Sequence, residues 1–375
     1  MTGQRSNFFH REPYVLFRMG LYVMLALCLS LVLRAETSDL SPSREQVFPS
    51  PSRRDWVDAR KTVKRGLRYL LNRQTPSGSI GSDYQVAVTS LAGLAVLGAG
   101  HQPTGSKQPV GSYGSMLAKC LDYLESCAQP RGAGLFLTEK VSKSRMHGHC
   151  YAVLFLCELR GSMPGQEERI KRLIKGAVKV IEGAQSRRGG WFYTPQNPDH
   201  DDEASVTVCA LQALRAARNV GCEVRGAAIN GAIRYVKDCQ NLKDGSFAYS
   251  FQEKKRTSYA LTVAALSTLN AAGVYKSKEL QKGFGYLTRS IARVKSPWKA
   301  AEKEHDFYAN LYAAQALYQD GGVLWERWYP GVRRYLMEKQ KSNGSWRCDW
   351  GDELSTAMAL LILEIPLGYL PIFER

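Results

Sequence analysis

Residues 185–214 read QSRRGGWFYTPQNPDHDDEASVTVCALQAL, from Gln185 to Leu214. The stretch joins the end of one helix to the start of another. It supplies a glutamine, a Gly189-Gly190-Trp191 turn, the polar run Asp199-His200-Asp201-Asp202, and a following segment rich in small apolar residues. The first half recurs along the chain as YLLNRQTPSGSI, YLESCAQPRGAGLF, YVKDCQNLKDGSF and YLMEKQKSNGSW. The glutamines are Gln74, Gln129, Gln185, Gln240 and Gln340. A sixth copy, YLTRSIARVKSPW, has lost the glutamine and the glycine but keeps Trp298. Repetition at this period is the signature of a repeat architecture.

Each copy follows a segment with a basic face and an apolar stripe, such as KTVKRGLRYLL, ERIKRLIKGAVKVI or GVRRYLMEK. Such a helix keeps one face in water. Each copy precedes a segment built from Ala, Ser, Thr and aliphatic residues with almost no charge, such as VTSLAGLAVLGAG, VTVCALQALRAA or STAMALLILEI. A helix apolar all round is buried all round. Six outer amphipathic helices alternating with six buried ones predict an all-α fold, an (α/α)6 toroid of six helix pairs spanning about residues 55–375.

The Gln…Gly…Trp copies, best in Gln185–Trp191 and Gln340–Trp346 and weaker in Gln240–Phe247, resemble the QW motif of squalene-hopene cyclases. The pattern as a whole resembles the prenyltransferase and squalene-oxidase repeat. The tail STAMALLILEIPLGYLPIFER and the segment HGHCYAVLFLCELRG look like exported bacterial one-toroid proteins named only after this repeat. The resemblance implies two concentric helix rings around a cavity. It also implies a structural role for Gln185, Trp191, Gln240, Phe247, Gln340 and Trp346, the glutamine tying loop backbone and the aromatic stacking at a helix junction. Fold does not fix function.

Asp199-His200-Asp201-Asp202 matches the D-x-D-D of class II terpene cyclases, in which the middle aspartate, here Asp201, protonates an alkene or epoxide. Such an acid must be held far above the usual carboxylate range by burial and like-charged neighbours, and Asp199 and Asp202 are the neighbours on offer. The family reads D-x-D-D-T-A, whereas Asp202 is followed here by Glu203-Ala204-Ser205. The same Asp-Glu-x-Ser order recurs at Asp352-Glu353-Leu354-Ser355, so the acids also suit a helix start, where they meet unpaired amides and the positive end of the helix dipole. The entrances of the other buried helices add Asp83, Tyr84, His147, His149, Tyr259, His305, Asp306, Tyr308 and Asp352. With His200 they form a rim at which a ligand is expected. No metal-binding spacing is present, and no metal or cofactor is expected.

Two functions follow. One is a toroid that binds an apolar, isoprenoid-like ligand or a partner at its cavity rim. The other is a terpenoid-cyclase-like or prenyl-transferring enzyme that uses Asp201 with Asp199 and Asp202. Carbohydrate-active enzymes also use (α/α)6 barrels, with paired carboxylates.

The chain of 375 residues opens with Arg5, Arg11 and Arg18 ahead of the uncharged run MGLYVMLALCLSLVL, residues 19–33. This predicts a signal peptide over residues 1–35, the competing reading being a membrane anchor, and hence an exported protein. Residues 36–54 are rich in Ser and Pro and read as a linker. Removal of residues 1–35 lowers the net charge from +17 to +14. The remaining field favours anionic membrane surfaces or acidic polymers. No nucleic-acid motif is visible. The cysteines after residue 35 form no C-x-x-C pair and read as buried small hydrophobes. The oligomeric state is not legible.

Overall fold

The computed structural model describes residues 53–103, 112–139, 142–196, 199, 201–301 and 305–373. The expectations for residues 1–35 and most of 36–54, and the rim residue His200, lie outside them. The described unit is a ring of paired helices. The outer helices are α1 (Arg53–Arg73), α3 (Ser112–Ser126), α5 (Glu167–Gly183), α7 (Gly226–Asp238), α9 (Lys278–Ala292) and α11 (Gly322–Lys339). The inner helices are α2 (Gln85–Gly98), α4 (Arg145–Leu159), α6 (Ala204–Asn219), α8 (Tyr259–Ala271), α10 (Asp306–Asp320) and α12 (Asp352–Glu364). Each inner helix packs against the next, and α12 packs against α2, so the ring closes. No described helix is long and apolar enough to cross a membrane.

The glutamine of each turn explains the ring. Gln185 Nε2 donates to Gly189 O of its own turn at 3.0 Å and to Ala228 O of the next outer helix, α7, at 2.8 Å. Gln74 does the same with Gly78 O and Met116 O, and Gln240 with Gly245 O and Glu279 O. Gln340 donates to Gly344 O and to Thr62 O of α1, both at 2.9 Å, which joins the last repeat to the first. The accepting carbonyls of Met116, Ala228 and Glu279 lie in the first turns of their helices, and that of Thr62 lies midway along α1. The turn glycines Gly78, Gly189, Gly245 and Gly344 lie at φ of +94°, +101°, +84° and +94°. A Cβ on any of them would lie 2.2–2.4 Å from a backbone oxygen of the neighbouring outer helix. Glycine therefore meets two demands there, the left-handed backbone and the close approach.

A second, less visible contact repeats beside it. The backbone N–H of the residue ending each turn is accepted by a hydroxyl of the inner helix: Ile80 by Thr89, Trp191 by Thr207, Phe247 by Thr262 and Trp346 by Thr356, at 2.9–3.1 Å. Thr207, Thr262 and Thr356 each pass their own proton to the carbonyl four residues earlier. Trp191 Nε1 donates to Ile181 O and Trp346 Nε1 to Leu336 O, both rings being fully buried. The indole N–H and the backbone N–H that ends each turn are thus paired, while Oε1 of Gln240 and of Gln340 is buried with no partner among the described residues.

Two repeats depart from the pattern. In the second, a hairpin of β1 (Ala128–Arg131) and β2 (Gly134–Leu137) replaces the turn, and Gln129 keeps a single long contact, 3.5 Å, to Thr138 O. His149 takes the threonine's place, accepting Leu137 N–H on Nδ1 at 3.1 Å and reaching Ala177 O of α5 with Nε2. In the fifth, Trp298 sits in a 3-10 turn (Pro297–Ala300), its indole donates to Asp306, and Asn310 donates to Trp298 O. The minor sheet β3 (Phe247–Ala248) and β4 (Thr257–Ser258) lies at the entrance to α8.

One buried group stands apart. Glu364, last residue of α12, is 2 % exposed and neither carboxyl oxygen has a hydrogen-bond partner. Gly98 makes room for it, since a Cβ there would meet Glu364 Oε2 at 2.7 Å. Burial holds this carboxyl well above the usual carboxylate range.

Two stability experiments test this account. Gln340→Ala removes both bonds of the clasp and should cost about 1–3 kcal/mol in denaturant unfolding, whereas Gln129→Ala, which loses one long contact, should cost much less; equal losses would discount the glutamine clasp. Glu364→Gln should stabilise the protein at pH 7–8 and do little at pH 4. The sign follows from the raised folded pKa: the stability it allows is present below the unfolded value and is lost as pH rises above it, by up to about 1.4 kcal/mol per pH unit. A pH-independent difference between wild type and variant would contradict it.

Candidate functional site

The two ends of the ring are built differently. At the entrances to the inner helices the connections are long and carry the Gln…Trp turns. At the opposite end the inner helices pass to the outer ones through shorter segments, such as those between Asn219 and Gly226 or between Ala271 and Lys278.

The acidic run lies at the entrance end, and its members separate. Asp199 is exposed and paired with Arg187 at 2.8 Å. Asp201 is exposed and so has none of the desolvation that the proton-donor role requires. Asp202 is buried. Its Oδ2 accepts from Ser186 Oγ at 2.6 Å and from Arg188 Nε at 3.1 Å, which fastens the entrance of α6 to the Gly-Gly-Trp turn. Glu203, not among the expected site residues, caps α6. Its carboxylate accepts from the amides of Ser205 and Val206 and from Ser205 Oγ. Burial is the largest influence on this carboxyl and pushes it up to about 7, against the hydrogen bonds that favour its charged form. The signal for it was its place three residues ahead of Val206, an N-cap position filled by an acid.

The echo in the last repeat takes a shifted register. Thr207 and Thr356 are equivalent by their bonds, so Asp352 stands where Glu203 does. Asp352 nonetheless plays the part of Asp202: it accepts from Lys341 Nζ at 2.7 Å and from Ser345 Oγ in its own turn. Glu353 meets Arg73 at 2.6 Å and Tyr69 OH at 3.1 Å, a further clasp between α12 and α1.

The other rim residues do not converge. His149 is fully buried with both nitrogens engaged, and burial pushes it down to about 4, so it is a neutral structural imidazole. His147 Nδ1 lies 2.5 Å from Ser144 Oγ, and the packing around its ring pushes it down to about 4 as well. Its ring faces Tyr193. Tyr84, at φ 51°, and the exposed His305 both approach Trp350. Asp306 accepts from Trp298 and from the Phe307 amide; burial raises its carboxyl. Tyr259 is buried in the first turn of α8. Tyr308 packs on Tyr312. Below them the axis is filled by two layers of buried side chains. Cys209 Sγ and Tyr312 OH are 3.2 Å apart beside Tyr151. One turn on, Gln212 Nε2 donates to Gln315 Oε1 at 2.9 Å and to Ser267.

Gln212 is also the floor of a cavity of about 1040 Å3 at the other end of the ring. The sequence reading placed the ligand site at the entrances; this large cavity opens at the C-terminal ends of the inner helices. The wall carries Glu158, Arg160, Arg215, Asn219, Asn270 and Gln319. Tyr275 and Tyr369 stand at its edge, 73 % and 58 % exposed. Arg215 Nε donates to Ala271 O. The Oε1 of Gln319 is buried and has no hydrogen-bond partner among the described residues. The sequence hid this site because its residues are the polar ends of helices that otherwise read as core.

No family model and no curated protein matches the chain. Solved structures do. A glycoside hydrolase family 76 α-mannanase from Bacteroides thetaiotaomicron is 12 % identical, with a TM-score of 0.57 over 82 % of this chain and 97 % of that one. An inactive variant of the α-1,6-mannanase of Salegentibacter sp. HEL1_6, in complex with α-1,6-mannotriose, is 10 % identical, with a TM-score of 0.58 over 82 % and 98 %. A type II terpene cyclase from Scytonema is 11 % identical, with a TM-score of 0.55 over 84 % and 99 %. The chain shares the toroid with both kinds of enzyme.

Asp202→Ala should destabilise the protein by about 1–3 kcal/mol, because Ser186 and Arg188 lose a buried acceptor. Asp201→Asn, exposed, should stay within about 0.5 kcal/mol of wild type. Thermal unfolding of both variants checks this; the reverse order would place Asp201 rather than Asp202 in the structural role.

Proposed function

We propose that the protein is an exported toroid that binds an oligosaccharide in the cavity at the C-terminal ends of its inner helices. The observation that carries the reading is the cavity wall itself, amide and charged side chains with the unpaired Gln319 carbonyl among them. An isoprenoid needs a mainly apolar hollow with few polar groups. A wall of amides instead matches a ligand that is dense in hydroxyls. Gln319 Oε1 would accept one of those hydroxyls, removing the cost of a buried unpaired acceptor. The exposed Tyr275 and Tyr369 offer aromatic faces to sugar rings, as amphipathic aromatics do at wet interfaces. The α-mannanase neighbours have the same ring, and one of them holds a mannotriose. The basic residues ahead of the apolar run at residues 19–33 support export.

Calorimetric titration of the purified protein with mannotriose and with geranylgeranyl dihydroxybenzoate, the substrate bound by one terpene cyclase neighbour, tests the reading. The sugar is expected to bind and the prenyl compound not to, and Gln319→Leu should weaken the sugar by about tenfold, the worth of one or two hydrogen bonds. Binding of the prenyl compound alone, with turnover lost in Asp201→Asn, would overturn it in favour of the cyclase-like alternative.

A further inference from the structure

A second depression of about 420 Å3 adjoins the cavity, and Arg160 and Val220 line both. It runs along the outer face of α5. Its floor is apolar, with Ile174, Val178 and Val220, and its sides are basic, with Lys171, Lys175, Lys179 and Arg225 beside Arg160. Lys171, Lys175 and Lys179 recur every four residues, so their side chains leave one face of the helix from Cβ atoms about 6 Å apart. Like charges at this spacing cost helix stability. Lys171 reaches Glu168 at 3.5 Å, and Arg225 is held by Glu182 at 3.3 Å. Lys175 and Lys179 have no ion pair among the described residues.

Arg160 is the hinge of the two spaces. It follows the last turn of α4 in an extended conformation, and Gly161, at φ +83°, turns the chain away behind it. Its Nη1 lies over Gly221, 3.8 Å from where a Cβ would be. The residue is half-buried, and its guanidinium has no hydrogen-bond or ion-pair partner among the described residues. A partly desolvated charge without a partner is costly. Guanidinium is also the side chain suited to carboxylate and sulfate, which it meets with two parallel donors. Of the acids nearby, Glu182 is engaged by Arg225 and Glu223 is exposed, while Glu158 and Asp320 line the cavity rather than the groove.

Resting on the oligosaccharide reading of the cavity, we propose that cavity and groove form one continuous site for an anionic oligosaccharide. Neutral hydroxyls lie against the amides of the cavity. The chain passes over Arg160, and its carboxylate or sulfate groups lie along Lys175 and Lys179. The regular spacing of the lysines fits a polymer with charge at regular intervals better than a single anion.

The test uses the purified full-length protein and three probes: tetragalacturonate, neutral mannotetraose, and phosphatidylglycerol vesicles. Tetragalacturonate should bind at least about tenfold more tightly than mannotetraose and weaken between 50 and 200 mM salt, since its contacts are charge-assisted. Arg160→Gln and the exposed Lys175→Gln should each weaken tetragalacturonate by about tenfold, the loss of one charged hydrogen bond, and Lys175→Gln, which lies outside the cavity, should leave mannotetraose unchanged. Equal affinity for charged and neutral sugars, or unchanged binding in both variants, would overturn the proposal and leave the cavity reading standing. Tighter binding to the vesicles than to the sugar, lost in Lys175→Gln, would overturn it in favour of a membrane surface. If Gln319→Leu spares both sugars while Arg160→Gln weakens the acid, the cavity reading fails and the groove alone holds the ligand.

Discussion

One side-chain amide holds the ring together. In four of the six repeats a glutamine nitrogen donates both its hydrogens, one to the glycine carbonyl of its own turn and one to a carbonyl of the next outer helix. A helix leaves its last carbonyls unpaired within itself, and a tight turn leaves more. Joining a turn to a neighbouring helix by one amide pairs the turn's carbonyl and ties the turn to that helix. The glycine must then approach the neighbouring backbone, which is why its φ is positive and why no Cβ fits. The indole or phenyl group fills the remaining space. Glutamine, glycine and aromatic are therefore three parts of one junction, and the junction of Gln340 with Thr62 turns a row of repeats into a ring.

The threonine that receives the turn's N–H completes the junction from inside. It explains why helices with almost no charge still carry hydroxyls at fixed places. It also explains His149. A histidine inside a core invites a metal or a proton shuttle as its role, yet here it does the threonine's task with more reach, bonding β2 with one nitrogen and α5 with the other. The imidazole has two ring nitrogens, so one side chain serves both the hairpin and the outer helix.

The architecture was legible because the junction needs the same residue types at the same spacing each time. Repetition turns a weak local signal into a strong one. The acidic run was not legible in the same way. Asp201 and Asp202 are adjacent in sequence, but the chain enters α6 in an extended conformation, so one faces water and the other the turn. The Asp-Glu-x-Ser echo aligned letters, while the threonine bonds align the helices one residue differently. Asp202 and Asp352 both fasten a helix entrance to its own turn, from inequivalent positions and through different side chains, which only the geometry reveals. Glu203, an ordinary cap by its place, is the acid that burial perturbs.

The large cavity was hidden for a different reason. Its residues do not form a motif, because they come from the ends of five inner helices that the ring alone brings together. Each end reads locally as the polar fringe of an apolar helix, and no spacing along the chain relates Arg160 to Arg215, Asn270 or Gln319. A ring built by repetition has two unlike ends. The end with the long Gln…Trp connections spends its polar groups on holding the fold, as Asp202, Asp306, His149 and Asp352 all do. The end with the shorter connections has fewer such duties, and there an amide like Gln319 and a guanidinium like Arg160 remain uncommitted.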